Sequence, residues 1–213
     1  MVKTKKRSNN KKKNLRLPIS NVYTNEDYIS NDGMLTSVWG PSMWHYLHTM
    51  SFNYPVKPTE KDKHNYRSFI LNLRNVLPCG KCRKNLCLNL KRLPLSWKHM
   101  ESRETFSTYI YNLHELINKM LDKESGLSYA DVRERYEHFR ARCTKSIKDL
   151  KPNNKTLKKK EIGCTESLYG EKSKCILQII PQDTKCDTFQ IDDKCVKKLL
   201  NVSGDQKVDE AIP

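Results

Sequence analysis

The stretch FILNLRNVLPCGKC, residues 69–82, carries the two features that decide the fold. Its apolar residues recur every three or four positions, which is the spacing of an amphipathic helix, and this helix should end at Pro78. A CxxC pair, Cys79 and Cys82, follows at once. If Cys79 opens the next helix, the free N–H groups and the positive end of the helix dipole favour a thiolate there. The basic residues that follow add to this effect.

The CxxC pair has several interpretations. Two cysteines at a helix start can join, with one sulfur exposed to attack by another thiol, which suits dithiol/disulfide exchange. Zinc needs four ligands, usually two close pairs, and no second CxxC or HxxxH follows Cys87. A thioredoxin-like fold needs a strand before the motif, but the residues before Cys79 have the period of a helix. The pair can also be two buried thiols. The geometry favours disulfide exchange, and zinc stays as an alternative.

The spacing of apolar residues predicts helices throughout the segment from about Trp39 to Cys143. The first predicted helix follows the Gly40-Pro41-Ser42 start signal, and the second ends at Pro78. Three further apolar stripes lie at 82–93, 106–121 and 132–139. Four or five helices joined by short loops predict an all-α bundle, and about 105 residues are enough for such a core to fold alone.

Positive charge is concentrated at the N-terminus. Half of the net charge of +16 lies in residues 1–17, which carry eight Lys or Arg and no acid. This stretch cannot bury enough apolar area to offset the entropy of ordering, so residues 1–35 should form a disordered basic tail. It lacks the apolar region of a signal peptide, and no stretch approaches the roughly 20 apolar residues of a membrane span. We expect a protein kept on the cytosolic side.

The C-terminal third differs from the helical segment. Residues 144–161 are rich in Lys and Asn and are typical of a linker, and the apolar pieces beyond them are too short to build a core alone. We therefore divide the chain into the tail, a helical domain at 36–143 and an extension at 144–213. Four cysteines in the extension could hold it together. They are Cys164, Cys175, Cys186 and Cys195.

Two helices place possible ligand contacts at matching spacing. Trp44 and His48 are four residues apart on the first helix, as are His114 and Asn118 on the fourth, so each pair shares one helix face. Each residue alone is more often a core or surface residue than a ligand contact. Together they put aromatic and imidazole rings and an amide inside one bundle, near the CxxC. This combination predicts a site for a flat cofactor.

With these features in order, the sequence resembles the Erv/ALR family of FAD-linked sulfhydryl oxidases, most closely the versions encoded by large DNA viruses. The matching pieces are WGPSMWHYLHT at 39–49, FILNLRNVLPCGKC at 69–82, FSTYIYNLHELINKMLDK at 106–123 and VRERY at 132–136. They lie within residues 39–143, about half of the chain. The WGPxxW, LHT and CxxC elements in this order are much more specific than a lone CxxC.

The resemblance implies a fold and a reaction. The fold is a five-helix domain, a four-helix bundle with a short crossing helix, that holds FAD at one end and usually dimerises. In the reaction a substrate dithiol attacks Cys79 of the Cys79–Cys82 disulfide, and Cys82 passes the electron pair to FAD, from which O2 takes it to give hydrogen peroxide. The implied partners are protein dithiols, O2 and a second copy of the chain.

The resemblance also implies which residues contact FAD. They are Trp44, His48, His114, Asn118 and Tyr136, with Gly40 and Lys123 beside its phosphates or ribose. Tyr136 stands where the family often has Trp, and Glu115 where it often has Asn, and both can still bond or stack. A structural disulfide of many cellular members would join the positions of Tyr111 and Ser128. Both cysteines are absent, so packing should mainly hold this core.

The remaining cysteines have two interpretations each. Those of the extension, Cys164, Cys175, Cys186 and Cys195, are either a shuttle that carries electrons to Cys79 or disulfides that only hold the extension together. The family's shuttles are closely spaced pairs, so a shuttle here would have to be formed by folding. Cys87 is either a resolving thiol or a packed one, and Cys143 could pair with a cysteine of the extension.

A rival hypothesis from another class is a basic helical module that binds zinc or nucleic acid. The N-terminal tail fits it only weakly, because a solvated tail is the simpler interpretation and no aromatic residues are interleaved for base stacking. The rival predicts a colourless protein, whereas the oxidase predicts a yellow one that consumes oxygen with dithiols. The viral resemblance implies the host cytoplasm, a viral factory or the virion as location, and no metal cofactor.

Overall fold

The computed structural model describes residues 23–141, 164–181, 183–186 and 190–197. The predictions made for residues 1–22, for the linker at 144–161 and for Cys143 lie outside these ranges. The chain divides into two units, Met1–Gly33 and Met34–Pro213. In the first unit a four-residue helix, α1 (Asn25–Tyr28), begins at Thr24 with a capping box that Asp27 completes.

Residues 34–141 of the second unit are mainly helical, whereas the described residues beyond 163 are mostly irregular. One isolated antiparallel bridge joins Ala141 to Ser167. The α-helices of this unit are α2 (Thr36–Phe52), α3 (Glu60–Val76), α4 (Gly80–Arg92), α5 (Arg103–Met120) and α6 (Tyr129–Glu137). Short 3₁₀ turns lie at Trp97–Met100 and Asp193–Cys195. None of the described helices is long and apolar enough to cross a membrane.

Local sequence signals explain most helix boundaries. Capping boxes begin α3, α5 and α6, because in each case a Ser or Thr hydroxyl accepts from the third backbone N–H of the helix. α3 ends as predicted before Pro78, since a proline disfavours helical backbone at the residue that precedes it. That residue, Leu77, has φ −55° and ψ 138°.

The start of α2 differs from the prediction. The Gly40-Pro41-Ser42 signal does not begin the helix, because α2 starts at Thr36 and carries Pro41 inside it. Pro41 has no N–H to donate to the preceding turn, yet it lies close enough to the helix start for the rest of α2 to continue. Trp39 stabilises the first turn of α2, since its indole N–H donates to the Met34 carbonyl over 3.1 Å.

The core lies between four helices. α2 packs chiefly against α5, α3 packs against α4, and the short α6 packs against α2, so the predicted four-helix bundle with an additional short helix is confirmed. Twelve buried apolar side chains fill the centre. They are Leu47, Tyr54, Ile70, Leu73, Leu86, Leu90, Leu95, Met100, Phe106, Tyr109, Ile110 and Leu113.

Tyrosine hydrogen bonds join α5 to the start of α6. The Tyr111 hydroxyl donates to the Leu127 carbonyl over 2.7 Å, next to Ser128. The Tyr129 hydroxyl lies 2.8 Å from that of Ser107, and the Tyr111 and Tyr129 rings meet edge to face. These bonds hold the two helices together at the positions where the cysteines of a structural disulfide are absent.

Candidate active site

Cys79 and Cys82 form a disulfide at the start of α4, with their Cα atoms 5.1 Å apart. Cys79 is the N-cap, as the sequence predicts, and its sulfur accepts from the Cys82 backbone N–H over 3.2 Å. Both cysteines are half-buried. The N–H groups of the first turn and the helix dipole therefore act directly on Cys79 and would stabilise its thiolate after reduction.

α2 connects this disulfide to the predicted cofactor residues. The Thr36 hydroxyl lies 3.5 Å from the Cys82 sulfur. Gly40, Trp44 and His48 follow Thr36 at intervals of four residues, so they lie along one slowly drifting stripe of the helix. Twelve residues of helix span about 18 Å. The stripe therefore leads from the disulfide into the bundle.

Trp44, His48 and His114 form a ring cluster between α2 and α5. The Trp44 ring stacks on the His114 ring with centroids 3.9 Å apart and planes 8° from parallel. Nε2 of His48 lies 3.0 Å from Nδ1 of His114, so one imidazole donates to the other. His48 is only 4% exposed. The structure thus brings together three of the residues that the sequence spacing singled out.

Tyr136 adds a ring from α6 to this cluster. Its ring stacks near the His48 ring at 5.4 Å and the Phe52 ring at 5.4 Å. Its hydroxyl lies 3.3 Å from Nδ1 of His45 on α2. α6 thus contacts α2 through Tyr136 in two ways, by a polar contact and by ring stacking.

Burial keeps this cluster uncharged. Desolvation lowers the pKa of His48 to about 3, with a further effect from His114 and His45. Desolvation also lowers the pKa of His114 to about 4, against the opposing effect of Glu115. It raises the pKa of Tyr136 to about 12. At neutral pH these side chains offer neutral rings and hydrogen bonds, and no net charge.

A cavity of about 150 Å³ opens beside the cluster. His48, His114 and Tyr136 line it, together with residues of α5, α6 and the loop between them. The other lining residues are Tyr111, Glu115, Ser125, Leu127, Val132 and Arg135. Most of its wall is formed by ring faces and aliphatic groups, which is typical of a site for a planar ligand.

The other predicted cofactor residues lie nearby on the same elements. Asn118 is one turn beyond His114 on α5, and its side-chain amide donates to the Glu115 carboxylate over 3.0 Å. The Asn118 carbonyl accepts from the Lys123 backbone N–H over 2.9 Å. Gly40 is buried one turn before Trp44. The structure therefore gathers Trp44, His48, His114 and Tyr136, keeps Asn118 and Lys123 at the end of α5, and places Gly40 nearer the disulfide.

The residues present fit a flavin. Nδ1 of His48 is buried and has no hydrogen-bond partner among the described residues, so it is available to a ligand. A Cβ added at Gly40 would meet only a methyl group of Thr36, at 3.5 Å, so the surface of α2 is open at this position. The cavity takes in only part of a dinucleotide, because sites for such ligands are usually at least about 300 Å³. The remainder of an FAD must lie outside it.

The cysteines of the extension lie elsewhere. Residues 167 and 168 pair with the end of α6, where the Leu168 N–H donates to the Arg140 carbonyl over 2.7 Å. Cys164 is disulfide-bonded. Cys175 and Cys186 are exposed free thiols, whereas Cys195 and Cys87 are half-buried free thiols. No contact among the described residues brings the extension's cysteines to the Cys79–Cys82 pair.

Sequence reasoning missed two contacts of this site. Thr36 beside Cys82 was missed because the helix start was placed after Gly40. His45 beside Tyr136 was missed because the two residues are 91 positions apart, and only folding brings them together. The one available signal was that His45 lies three residues before His48, within reach of the same helix face. Among the described residues no cluster of His, Cys, Asp or Glu could hold a metal ion.

The fold and the site define a helical thiol–disulfide redox protein with a pocket for a planar cofactor. The family model of the Erv1/Alr family matches residues 41–137. This chain belongs to the Erv1/Alr family, as the resemblance predicted.

Two viral relatives support this assignment. The chain is 36% identical over 99 residues to the "Probable FAD-linked sulfhydryl oxidase" of Acanthamoeba polyphaga mimivirus, covering 46% of this chain and 68% of the relative. It is 30% identical over 99 residues to an FAD-linked sulfhydryl oxidase of African swine fever virus, covering 46% and 80%. The crystal structure of the yeast Erv1 core is 24% identical, with a TM-score of 0.45, covering 57% of this chain and 95% of that chain.

Proposed function

We propose that this chain is an FAD-linked sulfhydryl oxidase that forms disulfide bonds in protein dithiols. The observation that carries the proposal is the half-buried Cys79–Cys82 disulfide at the start of α4, in contact with the helix whose next turns carry the ring cluster. The names of the viral relatives point to the same reaction. A zinc- or nucleic-acid-binding module would explain neither the disulfide nor the buried neutral rings.

The chain's own residues receive and orient the cofactor. Trp44, His48, His114 and Tyr136 would hold the flavin ring, and Gly40, Asn118 and Lys123 the rest of the dinucleotide. His48 supplies a hydrogen bond at its unpartnered Nδ1. When bound, FAD supplies a two-electron acceptor for the reduced Cys79–Cys82 pair and returns the electrons to O2.

The two cysteines have separate roles. Cys79 is the N-cap of α4, and its sulfur is the one that a substrate thiolate attacks, as the resemblance to the family implies. Substrate oxidation then breaks the Cys79–Cys82 bond, forms a mixed disulfide with Cys79 and leaves Cys82 as a thiolate. A second substrate thiolate resolves the mixed disulfide, and the pair is left as a dithiol. Cys82, which lies against α2, is the sulfur that faces the cofactor side.

The assembly and the location belong to the same proposal. We assign the oxidase domain to residues 36–143 and the extension to 144–213, and we expect two copies of the chain to pair through the bundle. The viral relatives favour action in the cytoplasm of an infected host cell, in viral factories or in the virion. The extension's cysteines serve either as a shuttle or as disulfides of the extension itself, and exposed Cys175 and Cys186 are the candidates for the shuttle.

The visible absorption spectrum of the purified protein, followed by dithiothreitol under air, tests the proposal. We expect a flavin spectrum that bleaches when dithiothreitol is added and returns as oxygen is consumed. In C79S and C82S the spectrum should be present but should not bleach. Protein that folds and yet takes up no flavin when FAD is added would refute the proposal.

A further inference from the structure

The two helices that flank the disulfide carry positive charge without any compensating acid. Residues 63–100 contain nine Lys or Arg and no Asp or Glu. This range includes nearly all of α3, the Cys79–Cys82 pair and the whole of α4. The acidic residues of the bundle lie on other parts of it, at the start of α3 and on α5 and α6.

Six of these basic side chains are exposed, and the five that lie on α3 and α4, leaving out Lys98, are called the basic surface. They are Arg74, Lys81, Lys84, Lys91 and Arg92. The two ion pairs formed among the described residues, Lys63–Glu60 and Arg140–Glu137, involve none of them. Arg74 lies in the last turn of α3, five residues before Cys79, so both helices that flank the CxxC carry positive charge at the ends next to it.

The start of α4 also runs against the usual preference of helix termini. The positive end of a helix dipole favours acids in the first turn. α3, α5 and α6 follow this rule, with Glu60, Glu104 and Asp131 in their first turns. α4 has no acid there, as α2 also has none, but it carries Lys81 and Arg83 in the first turn and Lys84 directly after it. Helix stability does not account for this charge, which favours anions at the disulfide: the Cys79 thiolate and any acidic group that docks beside it.

We propose that the basic surface selects substrate dithiols that lie in acidic segments, an inference that rests on the proposed oxidase function. Acidic residues beside a cysteine raise the pKa of its thiol and leave less of the reactive thiolate. Docking on the basic surface reverses this effect, because the lysines then stabilise the substrate thiolate as it approaches Cys79. Opposite charges also speed the encounter, most strongly at low ionic strength.

A nucleic acid is the other polyanion that such a surface could bind. The structure favours an acidic protein segment because a half-exposed disulfide lies within the surface, and a nucleic acid has no thiol to react with it. α4 also contains no aromatic residue on which bases could stack.

Two dithiol peptides that differ only in their flanking residues test the inference with the full-length, FAD-loaded protein. One has Glu and the other Lys on both sides of the same Cys pair, and dithiothreitol serves as the uncharged reference. We expect kcat/KM for the acidic peptide to exceed that for the basic one by about tenfold or more at low salt, and the preference to shrink at high salt.

The variant K81Q/K84Q and the control K57Q/K61Q each remove two lysine charges. Lys57 and Lys61 are exposed and lie at the opposite end of α3 from the disulfide. For each variant the rate with the acidic peptide is divided by the rate with dithiothreitol, which removes any change in the reactivity of Cys79 itself. We expect this ratio to fall several-fold in K81Q/K84Q and to stay within about twofold in K57Q/K61Q.

Equal rates for the two peptides, a preference that high salt leaves unchanged, or equal effects of the two variants would overturn the inference while dithiothreitol oxidation still supports the oxidase. A DNA oligonucleotide that binds more tightly than the acidic peptide, and loses that binding in K81Q/K84Q, would overturn it in favour of nucleic acid. Failure to oxidise dithiothreitol would instead contradict the proposed function.

Discussion

The two halves of α2 meet different kinds of chemistry. At its start, the exposed residue Thr36 touches the Cys82 sulfur of a half-buried disulfide set among positive charges. Three turns later, His48 lies buried among neutral rings. One end is exposed to solvent, and the other holds histidines that burial keeps neutral. A single helix thus fixes the position of the disulfide relative to the ring cluster, although the first lies in exposed, basic surroundings and the second is buried and neutral.

Removing one sulfur of the disulfide should abolish the thiol chemistry at the start of α2 and leave the ring cluster at its other end unaffected. We expect C82S to lower the rate of dithiothreitol oxidation by about 10³-fold or more, because no disulfide can form. FAD content should stay close to that of the unmodified protein, because Cys82 lies outside the ring cluster. Oxygen consumption and the flavin-to-protein absorbance ratio measure the two effects.

C87S is the matched control for this prediction. Cys87 is a free thiol on the same helix, so its removal should change the rate by less than about twofold. A comparable loss in C87S would show that Cys87 acts as a resolving thiol.

Acid should act on the other end. The pKa values of His48 and His114, about 3 and about 4, lie below the 6.5 of an unperturbed histidine. As the pH falls through 6.5, His48 and His114 therefore bind protons in the unfolded chain but stay neutral in the folded one. The stability contributed by the neutral pair is present above that pH and is lost below it, by at most about 2.7 kcal/mol per pH unit for two histidines.

Urea unfolding of the FAD-free protein between pH 7 and pH 5 measures this loss, in a range above the titration of most carboxylates. H114Q should reduce the slope by up to about half, because one of the two strongly shifted histidines is removed while His45, whose pKa burial also lowers, remains. A free energy of unfolding that does not depend on pH in this range would contradict the buried neutral pair.

A buried amide weakens the core on the disulfide side. Asn89 lies on the same face of α4 as Leu86 and Cys82, is fully buried, and its Oδ1 has no partner among the described residues. Leucine has the same branching and number of heavy atoms, so replacing Asn89 by it removes the unsatisfied acceptor and loses one weak contact, from Asn89 Nδ2 to the Met120 sulfur. N89L should therefore raise the free energy of unfolding by about 1 kcal/mol.

N112L is the control for this change, because Asn112 is exposed on α5. It should change stability by less than about 0.5 kcal/mol. A destabilised N89L would mean that the amide has a role that its surroundings do not reveal.

The smallest effect should come from the contact between His45 and Tyr136. We expect H45F and Y136F each to weaken FAD binding by a few-fold and the double variant to weaken it by less than the product of the two. The coupling energy should be about 0.5 to 1 kcal/mol, as for one hydrogen bond. Fluorescence titration of FAD into the FAD-free variants measures it, and fully independent effects would show that the contact does not position Tyr136.

Local patterns predicted what depends on neighbours in sequence. The period of residues 66–77, the proline that follows and the N-cap role of Cys79 were all readable, because helix faces and caps involve residues within about four positions. The meeting of Trp44 with His114 was partly predictable, since each has a partner four residues along its own helix, so that two matching faces could lie inside one bundle.

Contacts between distant segments could not be predicted in the same way. Thr36 and Cys82 are 46 positions apart, and His45 and Tyr136 are 91 apart. Their meeting depends on how α2 packs against α4 and α6. The neutral state of the histidines likewise follows from burial in the folded bundle, and nothing in their sequence neighbours indicates it.

The Tyr111 hydrogen bond joins α5 to the start of α6 in a way that reductants do not affect. A phenol bonded to a carbonyl is indifferent to glutathione, whereas a structural disulfide at that place would be open to reduction. Within residues 34–141 as described, the Cys79–Cys82 bond is the only disulfide. Reductants can therefore open the Cys79–Cys82 bond repeatedly without breaking a covalent bond that holds the helical bundle together.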